Sequence, residues 1–190
     1  MPLDKIGTFA EYLTIDEKET GSLGAMAIPI AKAFGLYVIT NGNSESKDRV
    51  INLGVDHFID YKKEDYSKII SNVDYVLDTL GDKEISKEYE ILKKGGALVS
   101  LRGMPNGTFA KKMNMPFYKQ LIFKAVGNKY DKLAKKKNQT YDFIFVHSSG
   151  KELEEVSKIF EKTKIRPSID RIYTLDEIND SLEKAKKCTY

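Results

Sequence analysis

Short runs of β-branched and aromatic residues alternate in this chain with longer stretches whose apolar residues recur at helical spacing. We predict strands at residues 36–39, 57–61, 74–78, 97–101 and 141–146. A strand, a helix and a further strand in succession usually form a crossover unit in which the two strands are parallel. The alternation therefore predicts an α/β fold with a doubly wound parallel sheet and helices on both of its faces.

Residue types that start and stop helices mark several of the connections between these strands. Ser44 is predicted to cap the helix that follows the first strand, and Gly54 is predicted to end it. The pair Gly95–Gly96 is predicted to end a later helix. Thr174, three residues before Glu177, forms the pattern of a capping box for the last helix. The helix before it is predicted to bury Leu153, Val156, Ile159 and Phe160.

The composition excludes several classes of protein. A single cysteine, Cys188, among 190 residues rules out an internal disulfide and a four-cysteine zinc site. No apolar run reaches the roughly twenty residues that cross a bilayer, and the first residues lack the order of a signal peptide. We therefore expect a cytoplasmic protein without a membrane partner.

Positive charge is concentrated in residues 111–137, although the whole chain has a formal net charge of only +3. This segment holds nine lysines and one acidic residue, Asp131, so its net charge is 9 − 1 = +8. Such a segment can bind nucleic acid or a phosphorylated ligand, or it can be a solvated helix face. Phe117, Leu121 and Ile122 recur at helical spacing between the lysines, which favours the helix face. We expect no nucleic-acid partner.

Gly21, Ser22, Leu23 and Gly24 open a predicted helix that continues through Phe34. Glycines at a helix start let backbone N–H groups approach a diphosphate, and the helix N-terminus attracts the anion. The pattern lacks the first glycine of the usual dinucleotide-binding fingerprint, and no predicted strand directly precedes it. On this pattern alone, both a dinucleotide-binding turn and an ordinary helix start are open.

The turn after the first predicted strand indicates which dinucleotide fits. Sites that prefer NAD usually present an acidic residue there, which binds the ribose 2′-hydroxyl. Here the strand ends at Thr40 and Asn41, and Ser44 and Lys47 follow. A ribose 2′-phosphate needs hydrogen-bond donors and positive charge, and these side chains supply both. The turn therefore favours NADP(H), unless Lys47 simply faces solvent on a short helix.

Several segments follow one another in the order found in a known family. They are GTFAEY at 7–12, GSLG at 21–24, GVDHFIDY at 54–61, DTLG at 78–81, LKKGG at 92–96, FIFVH at 143–147 and TLDEI at 174–178. Together they resemble the quinone oxidoreductase branch of the medium-chain alcohol dehydrogenase/reductase family. The resemblance implies a Rossmann-like domain and an NADPH-dependent reductase without catalytic zinc. Its small-molecule substrate would be a quinone, an enone or another carbonyl compound, and the resemblance makes a homodimer possible.

The resemblance also implies which residues hold the cofactor. The glycine turn would line the diphosphate, residues between 40 and 61 would surround the adenosine and its 2′-phosphate, and three later strand ends would border the nicotinamide. The predicted set is Gly21, Ser22, Leu23, Gly24, Thr40, Asn41, Ser44, Lys47, Tyr61, Thr79, Leu80, Gly81, Ser100, Leu101, Phe143 and Phe145. We predict no metal site and assign no catalytic residue.

The chain departs from the family in the region before the glycine turn. Residues 1–18 resemble the end of a GroES-like catalytic domain, residues 19–165 the dinucleotide-binding domain, and residues 166–190 a return segment. The strand that leads into the glycine turn in the family has no clear counterpart. Either residues 8–15 fill its central place in the sheet, or the sequence is part of a longer chain. A non-catalytic NADP-binding or interaction module is therefore the alternative to an enzyme.

Overall fold

The structure is a computed structural model that describes residues 12–16, 21–163 and 171–188. Within these ranges, six strands form one parallel sheet in the order β3-β2-β1-β4-β5-β6. The strands are β1 (Tyr12–Asp16), β2 (Tyr37–Gly42), β3 (His57–Asp60), β4 (Val73–Asp78), β5 (Leu92–Ser100) and β6 (Thr140–Phe143). The strand order reverses at β1, as in a doubly wound Rossmann-like sheet. The predicted fold class is confirmed.

Strand β1 occupies the centre of the sheet. Its residue Leu13 is in register with Val38 of β2 on one side and with Tyr75 of β4 on the other. The sequence left open whether residues 8–15 fill this central place. Residues 12–16 do so, whereas residues 8–11 lie outside the described ranges. The three predicted domain ranges stay predictions.

Nine helices accompany the sheet in the described part of the chain. They are α1 (Gly21–Ala33), α2 (Lys47–Asn52), α3 (Tyr66–Ile69), α4 (Ile85–Ile91), α5 (Gly107–Lys112), α6 (Phe117–Val126), α7 (Asn128–Lys136), α8 (Gly150–Thr163) and α9 (Ile178–Cys188). Helix α1 contains Pro29, a residue that can break a helix, but it still begins at Gly21, so its N-terminus lies at the glycine turn. None of the helices in the described ranges has the length and apolar character needed to cross a bilayer.

One face of the sheet carries a core that extends across five strands, and we call it the continuous face. Ile39 of β2, Val76 of β4 and Leu98 of β5 are buried in it. Tyr141 of β6 stacks there on Tyr130 of α7, with ring centroids 4.8 Å apart. Burial of these side chains supplies the main favourable free energy for holding the helices to this face.

The opposite face, which we call the second face, carries a smaller core. Ile28 of α1 and Val50 of α2 pack there against Val38 of β2, and Leu77 of β4 joins them. Neighbouring residues such as Val38 and Ile39 belong to different cores because side chains alternate along a strand. The second core covers the part of the sheet that α1 and α2 overlie.

Two predicted helix boundaries are wrong. Asn43, not Ser44, caps the turn before α2, because its side-chain oxygen accepts a hydrogen bond from the backbone N–H of Ser46 at 3.0 Å. Gly95 lies inside β5 and does not end a helix, because the extended backbone of β5 begins directly after α4. Tertiary hydrogen bonds engage both residues, since the Ser44 hydroxyl donates to Asp60 and the backbone N–H of Gly95 donates to the carbonyl oxygen of Asn138.

The helices near the carboxyl terminus are less buried than predicted. The capping box is confirmed, since the backbone N–H of Thr174 donates to the Glu177 carboxylate at 3.0 Å. Helix α8 packs against α1, yet it buries none of its residues and Leu153 is 67% exposed. The predicted buried face of α8 is therefore wrong for Leu153, and its three other apolar residues are half-buried. Ile178 and Leu182 of α9 are likewise more than half exposed.

Candidate functional site

The ends of the parallel strands meet at one edge of the sheet, which we call the carboxyl edge. Strand β2 ends with Asn41 and Gly42, β4 with Asp78 and β5 with Ser100. Helix α1 follows the central strand and begins at Gly21, so its first backbone N–H groups lie at this edge. Open α/β sheets bind ligands outside this edge, where the strand order reverses. In this chain that point is beside β1.

Two buried polar side chains at the carboxyl edge have no hydrogen-bond partner among the described residues. The unpaired atoms are Oδ1 of Asn41 and Oγ1 of Thr79. Both residues are more than nine-tenths buried. Leaving a buried polar atom unpaired costs about 1–3 kcal/mol of folding free energy. A polar ligand at this edge would offset that cost, so these two predicted residues have the chemistry of a binding site.

The buried carboxylate of Asp78 holds together the loops that follow β4 and β5. Its Oδ1 atom accepts hydrogen bonds from the backbone N–H groups of Leu80 and Gly81, at 2.8 and 2.7 Å. Its Oδ2 atom accepts from the hydroxyl of Ser100 at 2.5 Å, and the Ser100 oxygen accepts from the N–H of Gly103 at 2.7 Å. Three predicted site residues are thus fixed by one carboxylate.

The glycine turn forms the first turn of α1. Gly21 begins the helix, Leu23 is half-buried and Gly24 is buried, while the side chain of Ser22 is outside the described set. Thr40 is fully buried within β2. The predicted diphosphate residues therefore lie at a helix N-terminus, which is where backbone N–H groups lack partners within the helix.

A pocket of about 410 Å³ opens beside the ends of β2, β3 and β4. Three predicted site residues line it, namely Asn41, Tyr61 and Leu80. Charged and aromatic residues complete its wall. They are Lys62, Lys63, Glu64, Asp65, Tyr66, Glu84 and Lys87. The pocket therefore connects the carboxyl edge with a charged outer wall.

The three lysines of the pocket differ in what their ammonium groups contact. Lys87 Nζ donates a hydrogen bond to the Glu84 carboxylate at 3.2 Å, and this bond raises the pKa of Lys87. Lys63 Nζ lies 3.2 Å from Asp60 Oδ2. Lys62 is exposed and makes no ion pair within the described ranges. Lys62 is therefore the lysine of this wall whose charge is not already balanced by an acid.

Ser44 belongs to the same polar network. Its hydroxyl donates to Asp60 Oδ2 at 2.5 Å and accepts from Lys63 Nζ at 3.3 Å. The hydrogen bond from Ser44 is the main reason that the pKa of Asp60 is lowered. Lys47, by contrast, is an exposed residue at the start of α2 and is not part of the pocket wall. The structure thus places Ser44, but not Lys47, in contact with the wall.

The residues predicted to border the nicotinamide do not all lie together. Leu101 is near the carboxyl edge, where its backbone N–H donates to the Asp78 carbonyl oxygen at 3.0 Å. Phe143 instead packs edge-on against Phe109, with ring centroids 5.2 Å apart, and Phe145 is 63% exposed. Both phenylalanines line a second pocket of about 380 Å³, which shares no lining residue with the first.

Two residues of this region, Asp78 and Lys62, were missing from the predicted set. Asp78 is the last residue of a predicted buried strand, and a buried carboxylate requires several hydrogen-bond donors. Lys62 directly follows Tyr61, which the resemblance had already assigned to the adenosine side. Both residues are recognisable in the sequence, but their proximity to the other site residues is evident only in the folded sheet.

The chemistry of the carboxyl edge fits a dinucleotide. The N-terminus of α1 suits a diphosphate, and the unpaired atoms of Asn41 and Thr79 suit polar groups of a ribose or an amide. The fit to a metal ion is poor, because no group of three or more His, Cys, Asp or Glu side chains is gathered in the described ranges. The predicted absence of zinc stays a prediction.

Comparison with known sequences places this geometry in a family. Residues 53–187, more than half of the chain, match the sequence model of a family described as zinc-binding dehydrogenase. The mitochondrial NAD(P)H oxidoreductase RTN4IP1 of Danio rerio is 25% identical over 173 residues, which cover 88% of this chain and 44% of that protein. Acryloyl-coenzyme A reductase of Sulfurisphaera tokodaii is 26% identical over 169 residues, with coverage of 88% and 45%. The chain spans less than half the length of these relatives.

Solved structures share the fold. The quinone oxidoreductase of Coxiella burnetii superposes with a TM-score of 0.66 at 23% identity, over 93% of this chain and 49% of that one. At such low identity the likeness concerns the fold alone. The parallel sheet, its glycine-led helix and the family match over residues 53–187 agree with one another. The chain therefore belongs to the zinc-binding dehydrogenases, in line with its resemblance to the medium-chain alcohol dehydrogenase/reductase family.

Proposed function

We propose that this chain binds NADP(H) at the carboxyl edge and serves an NADPH-dependent oxidoreductase whose substrate is a quinone, an enone or another carbonyl compound. The observation that carries the proposal is the pair of buried, unpaired atoms at this edge, Asn41 Oδ1 and Thr79 Oγ1. When bound, the reduced nicotinamide supplies a hydride. The residues of this chain supply binding and orientation.

The diphosphate is assigned to the first turn of α1. Gly21 and Gly24 allow close approach to the backbone, and the helix N-terminus carries partial positive charge. Gly24 is buried, so a larger side chain there would occupy space beside the helix start. The positions of the glycines at the helix start support this assignment.

The adenosine and its 2′-phosphate are assigned to the pocket beside β2 and β3. Asn41 stands where an NAD-preferring site usually has an acid, and it does not repel a phosphate. Tyr61 offers an aromatic surface in the pocket wall, and Lys62 offers a positive charge without an acidic partner in the described ranges. These features support NADP(H) over NAD.

Asp78 is assigned a positioning role at the nicotinamide side. By accepting hydrogen bonds from Leu80, Gly81 and Ser100, it holds two loops at fixed positions. A site held by buried hydrogen bonds loses less conformational entropy when a ligand binds. The carboxylate stays in the protein interior and itself contacts neither substrate nor cofactor in this assignment.

The substrate class is supported by the names of the relatives. The Sulfurisphaera tokodaii relative is named for an acryloyl thioester, and the Coxiella burnetii structure for a quinone. Acryloyl groups and quinones both have a carbon–carbon double bond conjugated to a carbonyl, which accepts a hydride. We therefore propose an activated alkene or carbonyl acceptor for the enzyme to which this chain corresponds, and a cytoplasmic location as predicted from the sequence.

Titration of the chain with NADPH and NADH, by calorimetry or by nicotinamide fluorescence, tests the cofactor assignment. We expect saturable binding of NADPH and weaker binding of NADH. Asn41→Asp places a carboxylate near the proposed 2′-phosphate, so it should weaken NADPH binding by about tenfold or more, with NADH binding unchanged or improved. Lys62→Gln should weaken NADPH binding several-fold and leave NADH binding unchanged.

Lys94→Gln is the matched control, because Lys94 is an exposed lysine on β5 outside the pocket. No saturable NADPH binding, or a preference for NADH, would refute the assignment. If Lys62→Gln weakens NADPH and NADH binding equally, Lys62 does not contact the 2′-phosphate. NADPH binding without oxidation in the presence of quinones and enones would favour the non-catalytic NADP-binding module.

A further inference from the structure

Helix α6 exposes an apolar surface on the side that faces away from the rest of the described structure. Phe117 is 74% exposed, and Tyr118, Leu121 and Ile122 are each at least half exposed. No residue of α6 is buried. Single exposed apolar residues are common on proteins, but a contiguous group usually marks a binding surface.

The opposite side of α6 holds the helix to the protein. Phe123 packs against Phe109, with ring centroids 6.1 Å apart. The side-chain amide of Gln120 donates to the carbonyl oxygen of Met115 at 2.7 Å. At 100° per residue, Gln120 and Phe123 point to one side, and Tyr118 lies roughly opposite them. The apolar surface is therefore fixed in place and is not a frayed end.

Lysines flank this apolar surface on both sides. At helical spacing, Lys119 and Lys124 lie about 140° apart, on the two borders between the anchored side and the apolar side. Neither makes an ion pair within the described residues, and the same holds for Lys111 at the end of α5. Residues 111–137 contain nine lysines and one acid, Asp131. Lys112 and Lys129 pair with Asp142 and Asp82, and both of these acids lie outside the segment. The surface therefore combines exposed apolar groups with unbalanced positive charge.

We propose that the outward face of α6, together with its flanking lysines, binds the surface of an anionic lipid bilayer. An interfacial helix buries its apolar side at the boundary between headgroups and acyl chains, and lysines beside it meet the anionic headgroups. Phenylalanine and tyrosine favour this boundary, and lysine side chains extend toward the headgroups while their methylene stems stay apolar. We expected no membrane partner because the sequence has no membrane-spanning apolar run and no signal-peptide pattern at its start. An interfacial helix needs no such run, and the sequence does not show that Phe117, Leu121 and Ile122 point outward.

Charge decides between a bilayer and a second copy of the chain. A symmetric dimer through this face would pair the surface with itself, so the lysines of both copies would lie close together. Like charges across such a contact repel, whereas an anionic bilayer attracts the same lysines. Nucleic acid would use the lysines but leave the apolar residues in water. An anionic bilayer can bury the apolar residues of this surface and attract its lysines.

Sedimentation with lipid vesicles tests the proposal on the full chain. We expect binding to vesicles of phosphatidylcholine with phosphatidylserine, and about tenfold weaker binding to phosphatidylcholine alone. Leu121→Ser with Ile122→Ser should reduce binding to the anionic vesicles by about tenfold, since both side chains are exposed and their loss spares the core. Lys119→Gln with Lys124→Gln should reduce binding several-fold and weaken its dependence on salt.

The controls are exposed residues of the same types on another helix. Leu153→Ser and Lys151→Gln on α8 should leave vesicle binding unchanged, and circular dichroism should show that every variant is folded. Absence of binding to anionic vesicles would overturn the proposal, as would equal losses in the α6 and α8 variants. If the chain dimerises and the double variant Leu121→Ser with Ile122→Ser dissociates the dimer, the face binds a second copy instead. If the chain binds duplex DNA in a salt-dependent manner but does not bind vesicles, the face binds nucleic acid instead.

Discussion

The two faces of the sheet differ in how far their cores extend. The continuous face is covered from β3 to β6, so that Leu98 of β5 and Tyr141 of β6 are as buried as Ile59 of β3. On the second face, α1 and α2 cover the region near β2 and β3. Beyond it, Ala97 and Val99 of β5 line the pocket of about 380 Å³. One face therefore carries a hydrophobic core across the sheet, while the other has a pocket beside β5 and β6.

Truncation of neighbouring β5 residues should give the largest contrast between the faces. Leu98→Ala creates a cavity in the continuous core and should lower the free energy of unfolding by about 2–5 kcal/mol. The Val99 side chain lines the second pocket, so Val99→Ala removes fewer packing contacts and should lower the free energy of unfolding by about 1 kcal/mol. Urea denaturation followed by circular dichroism measures both. Equal losses would show that the second face is as tightly packed as the first.

Substitution of one aspartate in each region compares the carboxyl edge with the part of the second face beside β5 and β6. Asp78→Ala leaves Ser100 and two backbone N–H groups without their acceptor, so it should cost about 1–3 kcal/mol and weaken NADPH binding. Asp142, whose side chain is 37% exposed, pairs with Lys112 on the second face. Asp142→Ala should change stability by less than about 1 kcal/mol and leave NADPH binding unchanged. Loss of cofactor affinity in both variants would contradict the positioning role of Asp78.

Alkaline pH should weaken the continuous face through its stacked tyrosines. Burial, with the hydrogen bond to Asp82, raises the pKa of Tyr130 from 10.0 to about 12, and burial also raises the pKa of Tyr141. Between pH 10 and 12 the unfolded chain therefore binds fewer protons than the folded one, so the stabilisation present below pH 10 is lost as the pH rises.

Urea midpoints measured across this range test the effect, which is the smallest of the three. Tyr130→Phe keeps an aromatic ring in the stack but removes one titrating group, so its midpoint should fall less steeply with pH. The same variant measured at pH 7 controls for the loss of the Asp82 hydrogen bond. An unchanged slope would assign the alkaline effect to groups other than Tyr130.

The sequence predicted the strands and their parallel arrangement because buried strands such as β2 and β4 are short apolar runs with polar ends. It also placed Asn41 and Thr79 at the carboxyl edge, since the carboxyl ends of parallel strands lie together. It failed for Ser44 and for Leu153 for the same reason, because local residue type does not reveal tertiary partners.

 

Ser44 was predicted to cap a helix but bonds to Asp60 sixteen residues away, and Leu153 was predicted to be buried but lies on a helix with few described neighbours. The helical period of residues 117–126 was evident from the sequence, whereas the direction of its apolar side was not. Periodicity indicates that a helix has an apolar side, but only the packed structure shows whether that side points inward.

The central position of β1 has a consequence for the order of folding. The register pairs β2–β3 and β4–β5 join residues about 20 positions apart, whereas β1 meets β4 across about 60 positions. Strand β1 meets β2 across only 25 positions. Loop closure costs more entropy over the longer span, so β1 can pair with β2 and β3 before this half of the sheet meets β4 and β5. Five residues thus couple two half-sheets into one cooperative unit, and the backbone amides of β1 should exchange with solvent only when those halves separate.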